Sequence, residues 1–233
     1  MKKPVIFVII PVFNEEKSIG RVLSEIPRDW VKEVIVCNNG SSDKTANVAL
    51  NAGATVVHQA DRGYGNACLK GIQYIQQKPV QEQPDIVVFL DGDYSDFPAE
   101  LPVVVAPILE EDFDLVIGSR LLSGKAEKGS LTPQQVFGNW LATFLIRNLY
   151  NYHFTDLGPF RAIRWSSLLQ LKMEDRNYGW TVEMQIKAAK QKLRCKEVAV
   201  QYRKRIGVSK ISGTIKGTVL AGYKILYTIF KYI

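Results

Sequence analysis

Ile86-Val-Val-Phe-Leu90 is an unbroken apolar run, bounded by Asp85 on one side and by Asp91-Gly-Asp93 on the other. It is too short and too β-branched for a helix, so it reads as a strand buried on both faces, which demands a mostly parallel sheet with helices above and below. In such sheets ligands bind beyond the carboxyl ends of the strands, where Asp91 and Asp93 fall. Residues two apart on an extended chain point the same way, so both carboxylates can face one point while Gly92 lets a ligand approach the backbone. Two adjacent carboxylates repel each other unless a cation lies between them. Hard oxygen donors favour Mg²⁺ or Mn²⁺, with positions left open for phosphate oxygens.

The remaining pattern agrees with this fold class. Val5–Ile10, Glu33–Cys37, Thr55–His58, Ile86–Leu90 and Leu115–Gly118 are strand-like, alternating with helix-like Glu16–Ile26, Asp43–Asn51, Gly65–Gln77 and Ala99–Leu109. That order implies an α/β protein with a Rossmann-like, mostly parallel central sheet and helices on both faces. Ser41 or Ser42 is expected to cap the second helix and Gly53 to close it. Beyond Gly118 the period is lost: 119–132 contains Gly124 and Gly129 and reads as a long mobile loop. Helices are then expected over Gln134–Tyr152, Trp180–Gln191 and the last twenty residues, with a strand over Cys195–Tyr202.

The 233 residues, 46% of them hydrophobic, suffice for one large domain over 1–233, with a regular α/β half at 1–118 and a specialised half at 119–233. Cys37, Cys68 and Cys195, an odd number among apolar neighbours, read as reduced core thiols of a cytoplasmic protein. No targeting segment is expected, because the short apolar run after Met-Lys-Lys-Pro meets Pro11 without a cleavage site. Between 186 and 216 ten basic residues face one acid, a local +9 that exceeds the chain's +7. A basic end of this kind suits a phosphate-bearing ligand or an anionic membrane face; nucleic acid is disfavoured because no recognition motif or aromatic interleaving accompanies it. His58 and His153 lack metal-ligand spacing and read as structural.

Seven motifs follow one another along the chain: Ile10-Pro-Val-Phe-Asn-Glu-Glu16, Asn39-Gly-Ser-Ser-Asp-Lys-Thr45, Arg62-Gly-Tyr-Gly-Asn-Ala67, Asp91-Gly-Asp93, Gly118-Ser-Arg120, Thr155-Asp-Leu-Gly-Pro-Phe-Arg161 and Arg205-Ile-Gly-Val-Ser-Lys210. In this order the chain resembles glycosyltransferase family 2, with its GT-A fold, and particularly the soluble part of dolichyl- or polyprenyl-phosphate sugar transferases. The resemblance implies an inverting transfer from a nucleotide diphosphate sugar, supported by Mg²⁺ or Mn²⁺ on Asp91 and Asp93. It implies donor contacts from Pro11, Asn14, Glu15, Asn39, Gly63 and Gly65, and acceptor contacts from Arg120, Arg161, Arg205 and Lys210.

Asn39 stands where the family commonly has a base-reading Asp, so the nucleobase is left open. Ser95 stands where the lipid-phosphate enzymes often have Gln, leaving a third metal ligand open, and Asp96 before Phe97-Pro98 reads as the cap of the next helix. Two acceptor classes follow. A polyprenyl or dolichyl phosphate, already an anion, needs orientation by Arg120, Arg161 and Arg205 but no strong base, whereas a sugar hydroxyl would make Asp156 the leading base. Glu183 competes between a place near the acceptor and helix stabilisation. The last helix, with Val219, Leu220, Tyr223 and Phe230 interrupted by lysines, is a poor bilayer span and fits either peripheral contact at the cytoplasmic membrane face or a packed interface. A nucleotidyltransferase or a non-catalytic nucleotide-sugar-binding module are the alternatives from other classes.

Overall fold

A computed structural model describes residues 3–122, 124, 126–207 and 215–233. Its seven strands are β1 (Ile6–Val12), β2 (Glu33–Asn38), β3 (Thr55–His58), β4 (Ile86–Phe89), β5 (Leu115–Ser119), β6 (Arg161–Arg164) and β7 (Cys195–Ala199). They form one sheet in the order β3-β2-β1-β4-β6-β5-β7, in which only β6 runs antiparallel to its neighbours. The chain builds outward from β1 to β3 and then returns to place β4 on the other side of β1. That reversal opens a crevice at the carboxyl ends of β1 and β4, the topological switch point at which such sheets bind ligands.

Alternation along each strand divides the core into two layers. Phe7, Ile9, Val87, Phe89 and Ile117 face one side, against α3 (Tyr64–Gln76), α5 (Pro133–Tyr150), α6 (Trp165–Leu171) and α7 (Trp180–Lys190). Ile6, Val8, Ile10, Val88 and Leu90 face the other, against α1 (Ile19–Glu25), α2 (Thr45–Asn51) and α4 (Leu101–Glu110). The expected strands and helices are therefore present, with α1 beginning three residues later than its apolar period suggests.

Two elements escaped the sequence pattern. β6 is Arg-Ala-Ile-Arg, a strand with a cation at each end, and it lies between β4 and β5 in the sheet. Its arginines are accommodated because backbone carbonyls satisfy them: Arg164 reaches those of Phe113 (3.1 Å) and Ile108 (2.8 Å). Helix α6 follows it directly. Because β6 is antiparallel, its first residue, Arg161, pairs with Phe89 and Ile117 near the edge from which Asp91 and Arg120 project.

Other expectations need correction. Neither Ser41 nor Ser42 caps α2: Lys44 holds the cap position without a side-chain cap, and Asp43 Oδ1 accepts from the Thr45 amide at 3.0 Å. The two serines instead brace Asn14, whose amide donates to Ser41 Oγ and whose Oδ1 accepts from the Ser42 amide, both at 2.9 Å. Gly53 does close α2, at φ +80°. The described part of 119–132 is tied down rather than loose: the Glu127 amide donates to Tyr202 O (2.7 Å) and Glu127 Oε2 accepts from the Lys204 amide (2.9 Å). It ends in a capping box in which Thr132 and Gln135 satisfy each other's amides at the start of α5.

The last helix, α8 (Ile215–Lys231), packs on α5 and α7. Thr228 and Ile229 are buried there, the Tyr150 hydroxyl donates to Ile229 O, and the Tyr232 hydroxyl donates to Glu183 Oε1 (2.7 Å). Among the described residues no helix is long and apolar enough to cross a membrane.

Candidate active site

The floor of the crevice is the loop that follows β4. Gly92 is a glycine because a Cβ there would lie 2.6 Å from Val12 Cγ1, so its close contact is with β1 rather than with a ligand. Asp91 accepts from the Tyr64 hydroxyl at 2.9 Å. Asp93 is 3% exposed; its Oδ1 accepts from the amide (2.9 Å) and hydroxyl (2.5 Å) of Ser95, and its Oδ2 pairs with the Arg205 guanidinium. Burial first, and the charge of Asp93 second, push the Asp91 carboxyl up to about 6. Asp96 is 2% exposed, and neither of its carboxylate oxygens has a hydrogen-bond partner. It does not cap a helix: the 3-10 turn at Pro98–Glu100 begins after Phe97 and has no side-chain cap. Burial, then the charges of Asp91 and Asp93, hold its carboxyl well above the usual range.

The Asp91 and Asp93 pair suits a divalent cation, because hard oxygen ligation would neutralise two mutually repelling carboxylates, while among the described residues no group of three metal-ligating side chains is gathered. Sequence reasoning missed the side chain that shapes the loop, Arg203. Its Nε donates to Tyr94 O (2.7 Å) and its Nη2 to Asp96 O (3.0 Å), while Glu25 Oε2 takes the same guanidinium at 2.7 Å. It stacks 3.3 Å from the Tyr94 ring centroid, with Tyr94 held at φ +68°. The amides of Arg203 and Ile206 complete the join by donating to Ser95 O and Asp93 O, both at 2.9 Å. The basic segment near the end of the chain is thus stitched onto the acidic loop, and Arg205 arrives beside Asp93 as a result.

Arg120, immediately after β5, meets Asp156 through three hydrogen bonds: the amide to Oδ2 (2.9 Å), Nε to Oδ2 (2.8 Å) and Nη2 to Oδ1 (2.7 Å). Its guanidinium carbon lies 5.0 Å from the Tyr202 ring centroid. Burial alone would raise the Asp156 carboxyl, but the Arg120 charge and hydrogen bonds hold it below its ordinary value. The backbone around Asp156 is clamped from three helices or strands. Glu197 of β7 accepts from the amides of Thr155 (2.8 Å) and Asp156 (3.0 Å), Asn139 of α5 bonds Thr155 O (2.9 Å) and the Leu157 amide (2.8 Å), and Gln185 of α7 donates to Asp156 O (2.9 Å). None of these three residues carried a sequence signal, since each lies far from Asp156 along the chain.

Arg161 is not available to an acceptor. It is fully buried, its Nε donating to Gly158 O (3.1 Å), Nη1 to Thr181 O (3.1 Å) and Nη2 to Leu157 O (3.1 Å), and burial pulls its guanidinium down to about 10. Its work is to shape the 157–158 turn beneath Asp156. Glu183 is likewise buried and structural, accepting from the amides of Glu174 (2.9 Å) and Asp175 (2.7 Å) and pairing with Lys187 (2.8 Å). Lys210 lies outside the described residues.

The donor-side residues gather at the ends of β1 and β2. Pro11 is buried in β1, and Glu15 Oε2 accepts from the Ser18 hydroxyl at 2.8 Å. Asn14 takes a left-handed φ of +53° and bridges to the loop after β2 through Ser41 and Ser42. Asn39 does not present its amide to a base: Nδ2 donates to Gln59 O (3.2 Å) and Asp61 O (2.6 Å), and Oδ1 accepts from the Gly63 amide (2.7 Å). Gly63 and Gly65 are glycines for a packing reason as well, since a Cβ would fall 2.1 Å from Arg176 O and 1.9 Å from Asp175 O respectively. Arg62 stacks 3.8 Å from the Phe13 ring centroid, an aromatic–cation pair beside this loop that the sequence did not single out.

A sheet switch point that brings together paired carboxylates and two guanidiniums is an arrangement suited to a diphosphate and a second anion. Comparison with known proteins gives the family. The family model "Glycosyl transferase family 2" matches residues 7–171. An uncharacterized glycosyltransferase of Mycobacterium tuberculosis is 33% identical over 216 residues, covering 92% of this chain and 93% of that protein. A dolichyl-phosphate hexose transferase of Haloferax volcanii is 30% identical over 216 residues, with 91% and 89% covered. Among solved structures, glucosyl-3-phosphoglycerate synthase from M. tuberculosis, crystallised with Mn²⁺, UDP and glucosyl-3-phosphoglycerate, superposes with a TM-score of 0.76 at 22% identity, covering 98% of this chain and 80% of that one. The GT-A-like architecture and the family match lead to one conclusion: the chain belongs to glycosyl transferase family 2.

Proposed function

We propose that this glycosyltransferase moves a sugar, with inversion, from a nucleotide diphosphate sugar to a polyprenyl or dolichyl phosphate at a membrane face. The observation that carries this reading is the Arg120–Asp156 pair. A carboxylate buried against a guanidinium and held below its ordinary pKa is a poor proton acceptor, so a hydroxyl acceptor would lack the base it needs from this position. A phosphate acceptor is already ionised and requires only orientation, which the guanidiniums of Arg120 and Arg205 can supply. The H. volcanii relative, named for dolichyl phosphate, supports the same acceptor class.

Asp91 and Asp93 would hold Mg²⁺ or Mn²⁺, which when bound supplies positive charge to the leaving diphosphate. Tyr64 and Ser95 orient those carboxylates through their hydroxyls, and Arg203 fixes the loop that carries them. Pro11, Asn14 and Glu15 border the nucleoside side of the crevice, with Asn39, Gly63 and Gly65 shaping its wall rather than reading the base. Membrane contact would come from the exposed faces of α5 and α8. Phe137, Trp140 and Phe144 form an exposed row in which Trp140 stacks on Phe144 (centroids 5.8 Å apart) and meets Phe137 at a tilt (5.9 Å), and Val219, Leu220, Tyr223 and Tyr227 are exposed on α8. Aromatic rows of this kind suit the headgroup boundary, and the basic segment from 186 to 216 adds attraction to anionic lipid.

The experiment is a panel of nucleotide sugars incubated with polyprenyl phosphate, scored for sugar-labelled lipid and for the nucleotide released. Labelled lipid with nucleoside diphosphate supports the reading. Pyrophosphate release would indicate a nucleotidyltransferase, and binding without release a non-catalytic module.

A further inference from the structure

Between α6 and α7 the chain makes a turn, 174–179, that touches the donor-side loop on one side and α8 on the other. Its contacts with the donor side are made by backbone. The carbonyls of Asp175 and Arg176 occupy the space that a Cβ at Gly65 or Gly63 would fill, at 1.9 and 2.1 Å, and Arg176 O accepts from the Asn66 amide at 2.9 Å. Tyr64 stands between those two glycines, and its hydroxyl donates to Asp91 Oδ1 at 2.9 Å. The Gly63 amide donates in turn to Asn39 Oδ1 at 2.7 Å. The turn therefore backs the segment that orients Asp91 and seats Asn39.

Its contacts with α8 are made by side chains. Asp175 is 8% exposed; its Oδ1 accepts from the amides of Asn177 (2.7 Å) and Gly179 (3.1 Å), and its Oδ2 pairs with the Lys224 ammonium at 2.9 Å. Glu174 pairs with Lys231 at 3.1 Å, and a Cβ on Gly179 would lie 2.3 Å from Thr228 Oγ1. Lys224, Thr228 and Lys231 recur every three or four residues, so a single face of α8 grips the turn. A buried carboxylate stripped of its cation is left uncompensated, so the Lys224–Asp175 pair is where that grip is most readily broken. From this juxtaposition we infer that Lys224 and Asp175 are positioning residues for the donor crevice: α8 fixes the 174–179 turn, and the turn fixes Tyr64 against Asp91. The inference rests on the donor-crevice reading of Asn39, Gly63, Gly65 and Asp91. Without the grip every group of the crevice is still present, but Tyr64 is held less firmly in place.

The test compares Lys224→Met with the wild type, as full chains in lipid-free solution, by amide hydrogen exchange and by binding of UDP and GDP in the presence of Mn²⁺. Exchange at Gly63 and Asn66 should accelerate by about fivefold or more while the amides of β1 and β4 keep wild-type protection, and Lys224→Arg should restore both sites. Affinity for whichever nucleoside diphosphate the wild type prefers should fall by about fivefold or more in Lys224→Met. In a Tyr64→Phe background the same change should cost no further affinity, because the hydroxyl through which the turn acts is gone. Wild-type exchange at Gly63 and Asn66 in Lys224→Met, acceleration spread evenly over the sheet, or an equal loss of affinity with and without the Tyr64 hydroxyl would overturn the inference and leave α8 a packing helix. A wild type that binds neither UDP nor GDP would contradict the donor reading instead, and exchange at Gly63 and Asn66 would still decide whether α8 holds the turn.

Discussion

Arg120 holds both carboxylate oxygens of Asp156, at 2.8 and 2.7 Å, across 36 residues of chain. The pair stitches the end of β5 to the turn before β6 and takes out of play the carboxylate that a hydroxyl acceptor would require. It is a buried pair, so breaking one side leaves a charge with no partner.

Asp156→Asn is therefore expected to destabilise the fold by about 3–5 kcal/mol at neutral pH. The sign with pH follows from the depressed carboxyl. Its contribution is complete above the ordinary aspartate value near ~4 and disappears as pH falls through the lower folded value. Urea unfolding of wild type and variant between pH 7 and 3 should show a gap that closes only in acid. A gap that instead widens on acidification would contradict the pairing.

Arg161→Met should behave as a core mutation. Three backbone carbonyls lose their donors and the 157–158 turn loosens, so a loss of about 3 kcal/mol or more is expected. Donor affinity per folded molecule should stay near that of the wild type. Calorimetric binding of nucleotide sugar alongside denaturation separates these; unchanged stability with lost acceptor use would restore Arg161 to the acceptor site.

The parallel half of the fold was legible because strands buried on both faces leave continuous apolar runs, as Ile86–Leu90 does. β6 was not, because the buried Arg161 and the half-buried Arg164 are satisfied by hydrogen bonds to carbonyls that only the folded chain supplies. The same limit governs the site. Asp91, Asp93 and Arg120 could be read from position at strand ends, but the status of Asn39, Gly63 and Gly65 depends on what packs against them: the carbonyls of Gln59, Asp61, Asp175 and Arg176. Arg203 and Glu197 act on loops 109 and 42 residues away, distances at which spacing carries no signal.

Asn39→Asp separates a base reader from a wall. An aspartate keeps the acceptor for the Gly63 amide but cannot donate to Gln59 O and Asp61 O, so a loss of about 1–3 kcal/mol is expected, with little change in preference between uridine and guanosine donors. Competition binding with UDP and GDP provides the check. A switch in base preference at unchanged stability would show that the side chain reads the base.

Trp140→Ala, at an exposed position, should leave the melting temperature within about 1 °C while weakening sedimentation with anionic vesicles. Added salt should weaken wild-type binding further, through the basic segment. Equal binding of wild type and variant to phosphatidylserine and phosphatidylcholine vesicles would separate α5 from the membrane.

Acceptor choice is decided by offering the wild-type protein polyprenyl phosphate and soluble sugars side by side with the same labelled nucleotide sugar and Mn²⁺. The expected result is label in the lipid fraction, one nucleoside diphosphate released for each lipid glycosylated, and loss of lipid product in Arg205→Ala at unchanged donor affinity. Label found only on sugar hydroxyls, with polyprenyl phosphate untouched, would contradict the lipid-phosphate reading and return Asp156 to the role of base.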